Sequence, residues 1–379
     1  METPPSHLPP LPRRSEAKTG RRVLVRGTNW LGDAVMTTPA LMRLRKKFPD
    51  AHITLLTPEK LRDLWLAHPA VNKIISPAPG ENVFSVGRKL RAGNFDLALV
   101  LPNSPRSALE VWLAGIPQRI GGARPWRNFF LTHAVPAWGE AVKMRKRSVD
   151  EIKVLIRGTG FQPGPPLTAH QIHEYLHLVA ALGANPEPLP PQLVVTPAEI
   201  EAVRKKFGLN EIERPLFGLN PGAEYGPAKR WPMEKFIAAA REIQKQTNCT
   251  WLVFGGQADA AIADRIESAI PSPPSAILNL AGKTSLRELM ALLKICRVLL
   301  TNDSGPMHVA AALGIPVVVP FGSTSPELTG PGLPGDPQHR LLKSAALCSP
   351  CFLRECPIDF RCMNGISIER VVEAVLSLV

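Results

Sequence analysis

The sequence has few of the features that disulfide-stabilised, nucleic-acid-binding or membrane-spanning proteins need. None of its six cysteines precedes residue 249, which argues against a disulfide framework and suits a reducing compartment. Aromatic residues make up 6% of the chain and no nucleic-acid-binding module is recognised, so a nucleic-acid partner is disfavoured despite a net charge of +13. No transmembrane segment is expected, because glycines and prolines interrupt the uncharged stretch at residues 304–326.

The sequence also lacks a secretory signal sequence and a dinucleotide-binding motif. The first twenty residues are rich in proline and polar groups and lack the apolar run of a signal sequence, so we expect a disordered tail at 1–20 and a cytoplasmic protein. Neither half carries GxGxxG after its first strand, which counts against a nucleotide-dependent oxidoreductase or epimerase.

The chain does contain a repeated alternation of short apolar runs and helical patterns. With 379 residues and 45% hydrophobic composition, two domains are expected. The alternation predicts an α/β fold in which two lobes with parallel sheets face a cleft. The expected boundaries are an N-terminal lobe at 21–184, a proline-rich linker at 185–196, a C-terminal lobe at 197–366 and a packing helix at 367–379.

Positive charge is concentrated in the first half. Residues 1–190 hold 26 Lys and Arg against 14 Asp and Glu, whereas residues 191–379 hold 19 against 18. The basic run at residues 143–147 suits a phosphorylated acceptor at a membrane surface, and a simply solvated surface is the alternative.

The first strand leads into RGTNWLGDAVMTTPAL, residues 26–41. Gly27 and Gly32 allow tight backbone geometry before a helix that we expect to begin near Asp33. This aspartate has two interpretations, a helix N-cap or a functional carboxylate at the strand end, and spacing alone does not separate them.

The loop NPGAEYGPAKRWP, residues 220–232, follows a strand and precedes a helix in the second half. Its glycines allow close approach of a ligand, and Lys229 and Arg230 supply positive charge for phosphate oxygens. An ordinary glycine-rich turn with solvated cations is the alternative. Lys229 is the leading candidate for a phosphate ligand.

The stretch TNDSGPMHVAAALGIPVV, residues 301–318, places Asp303, Ser304 and Gly305 where a strand meets a helix. Such a helix N-terminus binds anions, and Asp303 would oppose a diphosphate unless it caps the helix or meets sugar hydroxyls. His308 on an Ala-rich helix is more typical of a packed side chain. The segments FGGQADA, with Gly255 and Gly256, and NLAGKTSLREL, with Gly282, follow neighbouring strands and are expected to enclose a nucleoside.

Four cysteines fall in CSPCFLRECPIDFRCM: Cys348, Cys351, Cys356 and Cys362. The CxxC pair and two later thiols have the spacing of a structural zinc site, although reduced thiols in a loop-rich cap are the alternative. No metal role in catalysis is expected, and the chain has no Asp-x-Asp sequence that would bind a divalent ion.

The order of the blocks GTNWLGDAVMTTPAL, VLPNSPRSAL, NPGAEYGPAKRWP, VFGG, NLAGKTSL and NDSGPMHVAAALGIPVV resembles glycosyltransferase family 9, the ADP-heptose:lipopolysaccharide heptosyltransferases. The resemblance covers nearly the whole chain after Arg21. It implies a GT-B fold and inverting transfer of L-glycero-D-manno-heptose from ADP-heptose to the lipopolysaccharide inner core of a Gram-negative bacterium. Addition of the second heptose, to heptosyl-Kdo2-lipid A, is favoured over addition of the first or another family 9 transfer.

The resemblance also implies roles for individual residues. Asp33 is the candidate general base, and no cofactor is required. The donor-binding residues are Gly222, Glu224, Lys229, Arg230, Gly255, Gly256, Gly282, Asp303, Ser304, Gly305 and His308. The acceptor-side residues are Asn29, Trp30, Gly32, Asn103, Ser104 and Arg106. The lipid A core acceptor implies an enzyme that works at the inner face of the inner membrane, without a transmembrane segment.

Overall fold

The structure is a computed structural model that describes residues 20–158, 164–270 and 276–379. The tail expected at residues 1–20 lies outside the described residues except for Gly20. The chain forms two compact units. Unit 1 holds Thr37–Gly139, Ile172–Leu189 and the described residues before Trp30, and unit 2 holds Trp30–Met36, Glu140–Gln171 and Pro190–Val379.

Unit 1 is built on one parallel sheet. Its strands are β1 (Arg22–Arg26), β2 (His52–Leu56), β3 (Lys73–Ile75), β4 (Leu97–Val100), β5 (Gln118–Gly122) and β6 (His133–Val135). They pair in the order β3-β2-β1-β4-β5-β6, which is the doubly wound order. The central strands β1 and β4 are almost wholly buried, because helices cover both faces of such a sheet.

Unit 2 repeats this topology. Its strands are β7 (Leu216–Asn220), β8 (Thr250–Val253), β9 (Ile277–Asn279), β10 (Leu299–Thr301), β11 (Val317–Phe321) and β12 (Arg340–Lys343). The order β12-β11-β10-β7-β8-β9 again places the first strand of the unit at the centre, next to the fourth. The predicted α/β class with two parallel sheets is therefore confirmed.

Helices connect the strands within each unit. In chain order they are α1 (Leu31–Met36), α2 (Thr38–Lys47), α3 (Val83–Arg91), α4 (Pro105–Leu113), α5 (Val149–Leu155), α6 (Gln171–Ala180), α7 (Pro197–Lys206), α8 (Met233–Thr247), α9 (Ala260–Ala269), α10 (Leu286–Lys294), α11 (Gly305–Ala312), α12 (Pro326–Thr329), α13 (Arg361–Asn364) and α14 (Ile368–Leu376). Short 3-10 helices lie at Glu59–Trp65, Asn128–Phe130, Leu167–Ala169, Pro227–Lys229 and Gln257–Asp259. No helix in the described ranges is long and apolar enough to cross a membrane.

The grouping of residues differs from the contiguous lobes expected from the sequence. Helix α1 belongs to unit 2 because it packs against α11. Residues 140–171 also belong to unit 2, where the backbone N–H of Arg147 donates to the carbonyl of Cys351 at 3.0 Å. These contacts join residues that are distant in sequence, so local composition does not predict them.

The structure also corrects the expected start of the first helix. The helical segment beginning near Asp33 is divided at Thr37 into α1 and α2, and α1 already begins at Leu31. The backbone N–H of Ala34 donates to the carbonyl of Trp30 at 2.9 Å, so Asp33 lies inside the first turn rather than at the N-cap. The N-cap interpretation of this aspartate was wrong.

Candidate functional site

A cavity of about 970 Å³ lies in unit 2, at the carboxyl ends of β7, β8 and β10. In a doubly wound sheet this edge is the usual ligand site, because the strand order reverses there between the first and fourth strands. The cavity is lined by thirteen of the individually named candidate residues, Trp30, Gly32, Asp33, Gly222, Glu224, Lys229, Arg230, Gly255, Gly256, Asp303, Ser304, Gly305 and His308, and by Lys146 from the basic run 143–147.

Two buried asparagines hold the loop 220–232 against the end of β10. The side chain of Asn302 accepts a hydrogen bond from the backbone N–H of Trp231 at 2.9 Å and donates to the carbonyl of Pro221 at 2.7 Å. Asn220 donates to the hydroxyl groups of Thr301 and Ser304 at 3.0 and 3.2 Å. The loop that carries Lys229 is therefore tied to the strand end that carries Ser304.

Lys229 forms an ion pair with the most buried acidic group of the cavity. Its ammonium nitrogen lies 2.6 Å from Oδ2 of Asp303, whose side chain is only 4% exposed. Asp303 also accepts a hydrogen bond from the hydroxyl of Thr324 at 2.5 Å. The ammonium of Lys229 lies 4.8 Å from the centre of the Tyr225 ring, a cation–π distance.

Helix α11 directs its N-terminus into the same cavity. Ser304 is the N-cap residue with extended backbone, and Pro306 stands at one of the first two helical positions. The Ser304 side chain makes no capping hydrogen bond to the helix, and the first N–H groups of a helix have no intrahelical acceptor. Residues 304–306 line the cavity, so the positive end of the helix dipole adds to the charge of Lys229.

Asp33 lies on α1, which packs closely on α11. A Cβ added at Gly32 would stand 2.7 Å from His308 Cδ2, and one added at Gly305 would stand 2.7 Å from Leu31 Cδ2. These glycines let the two helices approach and hold Asp33 at the cavity wall. Burial raises the pKa of Asp33 to about 6, and the positive charge of Lys229 opposes this rise.

His308 is buried beside these groups and is neutral at physiological pH. Burial lowers its pKa to about 4, although the negative charge of Asp303 acts in the opposite direction. Since the ring packs against Gly32, the structure favours the interpretation of His308 as a packed side chain that shapes the cavity.

The residues that follow β8 form another part of the cavity wall. Gly255 and Gly256 line the cavity with Asp259, whose carboxylate accepts from the N–H of Gly256 at 3.0 Å. Gly282 does not line it. This glycine has a φ of +71° and packs against Gln257, a residue that does line the cavity.

Four of the expected acceptor-side residues lie in unit 1 and do not line this cavity. Asn29 accepts a hydrogen bond from Arg26 at 3.1 Å, and Asn103 accepts one from Arg127 at 3.2 Å. Ser104 caps α4 by accepting from the N–H of Ser107, and Arg106 pairs with Glu110 at 3.1 Å. All four therefore have contacts that contribute to the structure of unit 1.

The sequence did not single out several residues that line the cavity. The most relevant to phosphate binding are Tyr225 and Arg354. The guanidinium carbon of Arg354 lies 5.3 Å from the centre of the Tyr225 ring, so this ring contacts Lys229 and Arg354 together. The Arg354 carbonyl accepts from the N–H of Ala228 at 3.0 Å, and the Tyr225 hydroxyl donates to the carbonyl of Phe352 at 2.7 Å. The only local signal for Arg354 was its place in the cysteine-rich segment.

The cysteine-rich segment supports the cavity without the metal cluster that its spacing suggested. Among the described residues, no three or more His, Cys, Asp or Glu side chains are placed to hold a metal ion. Cys348 and Cys351 are buried against Ile152, and Cys362 belongs to the main apolar core of unit 2. Burial raises the pKa of all three thiols, which therefore stay protonated and pack as small apolar side chains.

Two doubly wound parallel sheets, with a cavity lined by cations and a helix N-terminus at the switch point of the second sheet, are the architecture of the GT-B glycosyltransferase class. The chain belongs to glycosyltransferase family 9 (heptosyltransferase), whose family model matches residues 162–360. Lipopolysaccharide heptosyltransferase 2 of Salmonella typhimurium is 34% identical over 324 residues, which cover 82% of this chain and 85% of the relative. The protein of the same name from Escherichia coli is 33% identical with the same coverage.

A solved structure agrees with these relatives. The E. coli ADP-heptose lipopolysaccharide heptosyltransferase II superposes with a TM-score of 0.74 at 30% identity, covering 94% of this chain and 98% of that chain. The resemblance to family 9 drawn from the sequence motifs is therefore confirmed, and the chain is a glycosyltransferase.

Proposed function

We propose that this enzyme transfers L-glycero-D-manno-heptose from ADP-heptose to the lipopolysaccharide inner core. The favoured step adds the second heptose to heptosyl-Kdo2-lipid A, and addition of the first heptose is the alternative. One observation carries the proposal. A carboxylate with a pKa of about 6, Asp33, lines the same cavity as Lys229 and the N-terminus of α11.

The donor diphosphate meets the positive side of the cavity. As the glycosidic bond breaks, negative charge grows on the departing ADP, so pre-placed cations and N–H donors stabilise the transition state more than the ground state. Lys229, the N-terminus of α11 and Arg354 supply them. Tyr225 contacts both cations and holds them on one side of the cavity.

Asp303 sets the position of Lys229. Its carboxylate is held by the Thr324 hydroxyl and by the Lys229 ammonium, so the lysine is oriented before the donor arrives. When the diphosphate binds, the ammonium is shared between this carboxylate and a phosphate oxygen. Asp303 therefore positions the cation, and the helix N-terminus and Arg354 offset the carboxylate's negative charge.

Asp33 acts as the general base. The acceptor hydroxyl attacks the anomeric carbon from the face opposite the ADP group, its proton passes to Asp33, and the bond from the anomeric carbon to the phosphate oxygen breaks. This displacement inverts the configuration at the anomeric carbon. A base with a pKa of about 6 is ionised at neutral pH and still basic enough to take the proton.

No metal ion is required for this reaction, because protein cations and N–H groups take the place of a divalent ion at the leaving group. The acceptor is anchored in the cytoplasmic face of the inner membrane by its lipid A, and the enzyme works there from the cytoplasm. Chelator-treated enzyme is expected to retain its transfer activity.

The decisive experiment incubates the enzyme with ADP-heptose and either Kdo2-lipid A or heptosyl-Kdo2-lipid A, followed by mass spectrometry of the products. We expect one heptose to be added to heptosyl-Kdo2-lipid A, with little addition to Kdo2-lipid A. Addition to Kdo2-lipid A alone would identify the enzyme with the first step. No product from either acceptor would contradict the proposed function.

A further inference from the structure

The loop between β5 and β6 in unit 1 displays aromatic side chains to solvent. Trp126 is 90% exposed and Phe129 is 81% exposed, which makes them the two most exposed large apolar side chains in the described part of the chain. Trp112, on α4, is 40% exposed and lies beside Phe129 with ring centres 6.5 Å apart. Exposed apolar side chains that form a contiguous patch, as Trp112 and Phe129 do, are typical of interaction sites.

This loop is held in place by its own hydrogen bonds. The N–H of Arg124 donates to the side chain of Asn128 at 2.9 Å, and the N–H of Phe130 donates to the carbonyl of Arg127 at 2.9 Å. The Arg127 side chain is fully buried and donates to Asn103 at 3.2 Å. The exposed rings therefore stand on an anchored scaffold.

Positive charge surrounds the aromatic side chains. Residues 80–135 contain seven Lys and Arg against three Asp and Glu. Arg119 donates to the carbonyl of Phe130 at 2.8 Å, and Arg91 donates to the carbonyl of Leu113, next to Trp112, at 2.8 Å. These two bonds place guanidinium groups at the border of the ring cluster.

The three carboxylates of this region are all engaged within the protein. Glu110 is buried between Arg26 and Arg106, at 2.9 and 3.1 Å. Glu81 pairs with Lys89 at 2.7 Å, and Asp96 accepts from the N–H of Arg22 at 2.9 Å. Arg127 is buried, and Lys89 and Arg106 pair with two of these carboxylates, so the positive charge displayed around the aromatic side chains comes from the remaining four cations, Arg88, Arg91, Arg119 and Arg124.

We infer that Trp126, Phe129 and Trp112, with Arg91, Arg119 and Arg124 around them, form a surface that docks on an anionic lipid bilayer. Exposed tryptophan and phenylalanine insert at the boundary between head groups and acyl chains, while arginines bind lipid phosphates. Loop 123–130 leaves β5 at the carboxyl edge of the unit 1 sheet and runs back toward the amino edge, where Phe130 lies beside Arg119 at the start of β5 and Trp112 stands in the last turn of α4. This inference rests on the proposed function, because only a lipid-anchored acceptor requires such docking.

Vesicle flotation tests the surface. The wild-type enzyme is expected to float with vesicles of phosphatidylcholine and phosphatidylglycerol, and less with phosphatidylcholine alone. Trp126→Ser should weaken binding to the anionic vesicles about tenfold, because the contact of an inserted ring with the acyl chains is lost. Val154→Ser removes an apolar side chain that is 68% exposed in unit 2 and should bind like the wild type. Equal binding of the wild type and Trp126→Ser would overturn the inference.

Analytical ultracentrifugation without lipid tests whether this surface binds a second copy of the chain instead of a bilayer. If Trp126→Ser converted a wild-type dimer into a monomer, the surface would be a subunit interface and the inference would be wrong. Because Trp126 is so exposed, the variant should keep the circular dichroism and melting temperature of the wild type.

Transfer assays separate this inference from the proposed function. With a deacylated, water-soluble acceptor, Trp126→Ser should match the wild type, whereas with the acceptor embedded in anionic vesicles its rate should fall about tenfold. Equal loss on both acceptors would assign Trp126 to the oligosaccharide site and overturn the inference. A wild-type enzyme that transferred heptose to neither acceptor would contradict the proposed function itself, whatever the flotation result.

Discussion

The ammonium nitrogen of Lys229 lies 2.6 Å from a carboxylate oxygen of Asp303, so the cation expected to meet the donor diphosphate already has an anionic partner. The pair joins the loop after β7 to the end of β10. Because both groups are largely buried, losing either partner leaves an uncompensated charge in the cavity.

Lys229→Ala is expected to weaken ADP binding about tenfold or more, since a charge-assisted bond to phosphate is lost and Asp303 then repels the diphosphate. Isothermal titration with ADP measures the effect, and steady-state kinetics should show a lower kcat as well. Lys206→Ala is the matched control, because Lys206 pairs with Glu288 on the surface and does not line the cavity. Unchanged ADP affinity in Lys229→Ala would move the phosphate site elsewhere.

Asp33→Asn is expected to lower kcat by about two to four orders of magnitude while ADP-heptose binding stays close to that of the wild type. The amide cannot accept the proton of the acceptor hydroxyl but fills the same volume. Asp150→Asn, in the exposed first turn of α5, serves as control. Wild-type turnover in Asp33→Asn would remove this residue from the mechanism.

The same variant should be more stable than the wild type at neutral pH. The folded-state pKa of Asp33 lies above its ordinary value, at about 6, so its contribution to stability is complete at low pH and is lost as pH rises through that value. Asparagine has no charge to bury. Thermal unfolding at pH 7 should therefore show a higher Tm for Asp33→Asn. An equal or lower Tm would contradict the idea that burying the ionised Asp33 carboxylate destabilises the folded protein.

The pH profile of kcat/KM should fall on the acidic side with a midpoint near 6, because protonated Asp33 cannot act as a base. Below the midpoint the rate should fall about tenfold per pH unit. His308 does not contribute to this acidic limb of the pH profile, since its pKa is about 4. Asp33→Asn should lack the limb in its residual activity, and a limb that persisted unchanged there would assign it to another group.

Arg354→Gln is expected to weaken ADP binding about tenfold but to leave adenosine binding unchanged, because only the phosphates require the guanidinium. The backbone carbonyl of residue 354 still accepts from Ala228, so the loop keeps its support. Arg361→Gln is the control in the same segment, since Arg361 pairs with Asp359 and lies outside the cavity lining. A parallel loss of adenosine binding would indicate a structural role instead.

Much of the fold could be predicted from local pattern. The helices expected after the loop 220–232 and after Asp303 are found at Met233–Thr247 and Gly305–Ala312, because each has a proline at its start followed by residues that favour helix. The first helix was less predictable, since its start at Leu31 and its interruption at Thr37 depend on packing against α11. The thiol spacing suggested a possible zinc site that the described residues do not form, for a related reason: spacing is local, whereas the burial of Cys348 against Ile152 is a tertiary contact.

By itself, the amino-acid sequence determined the parallel α/β class, the order of the motifs and the identities of Asp33, Lys229 and Ser304 as groups at strand ends. These follow from hydrophobic periodicity and turn chemistry, which act over a few residues. Only the tertiary structure decided that Asp33 shares a cavity with Lys229, that Asp303 pairs with this lysine, and that Arg354 and Tyr225 stand beside it. Apart from Tyr225, which lies in the same loop as Lys229, these residues are distant from the lysine in sequence, and their contacts depend on how the whole chain packs.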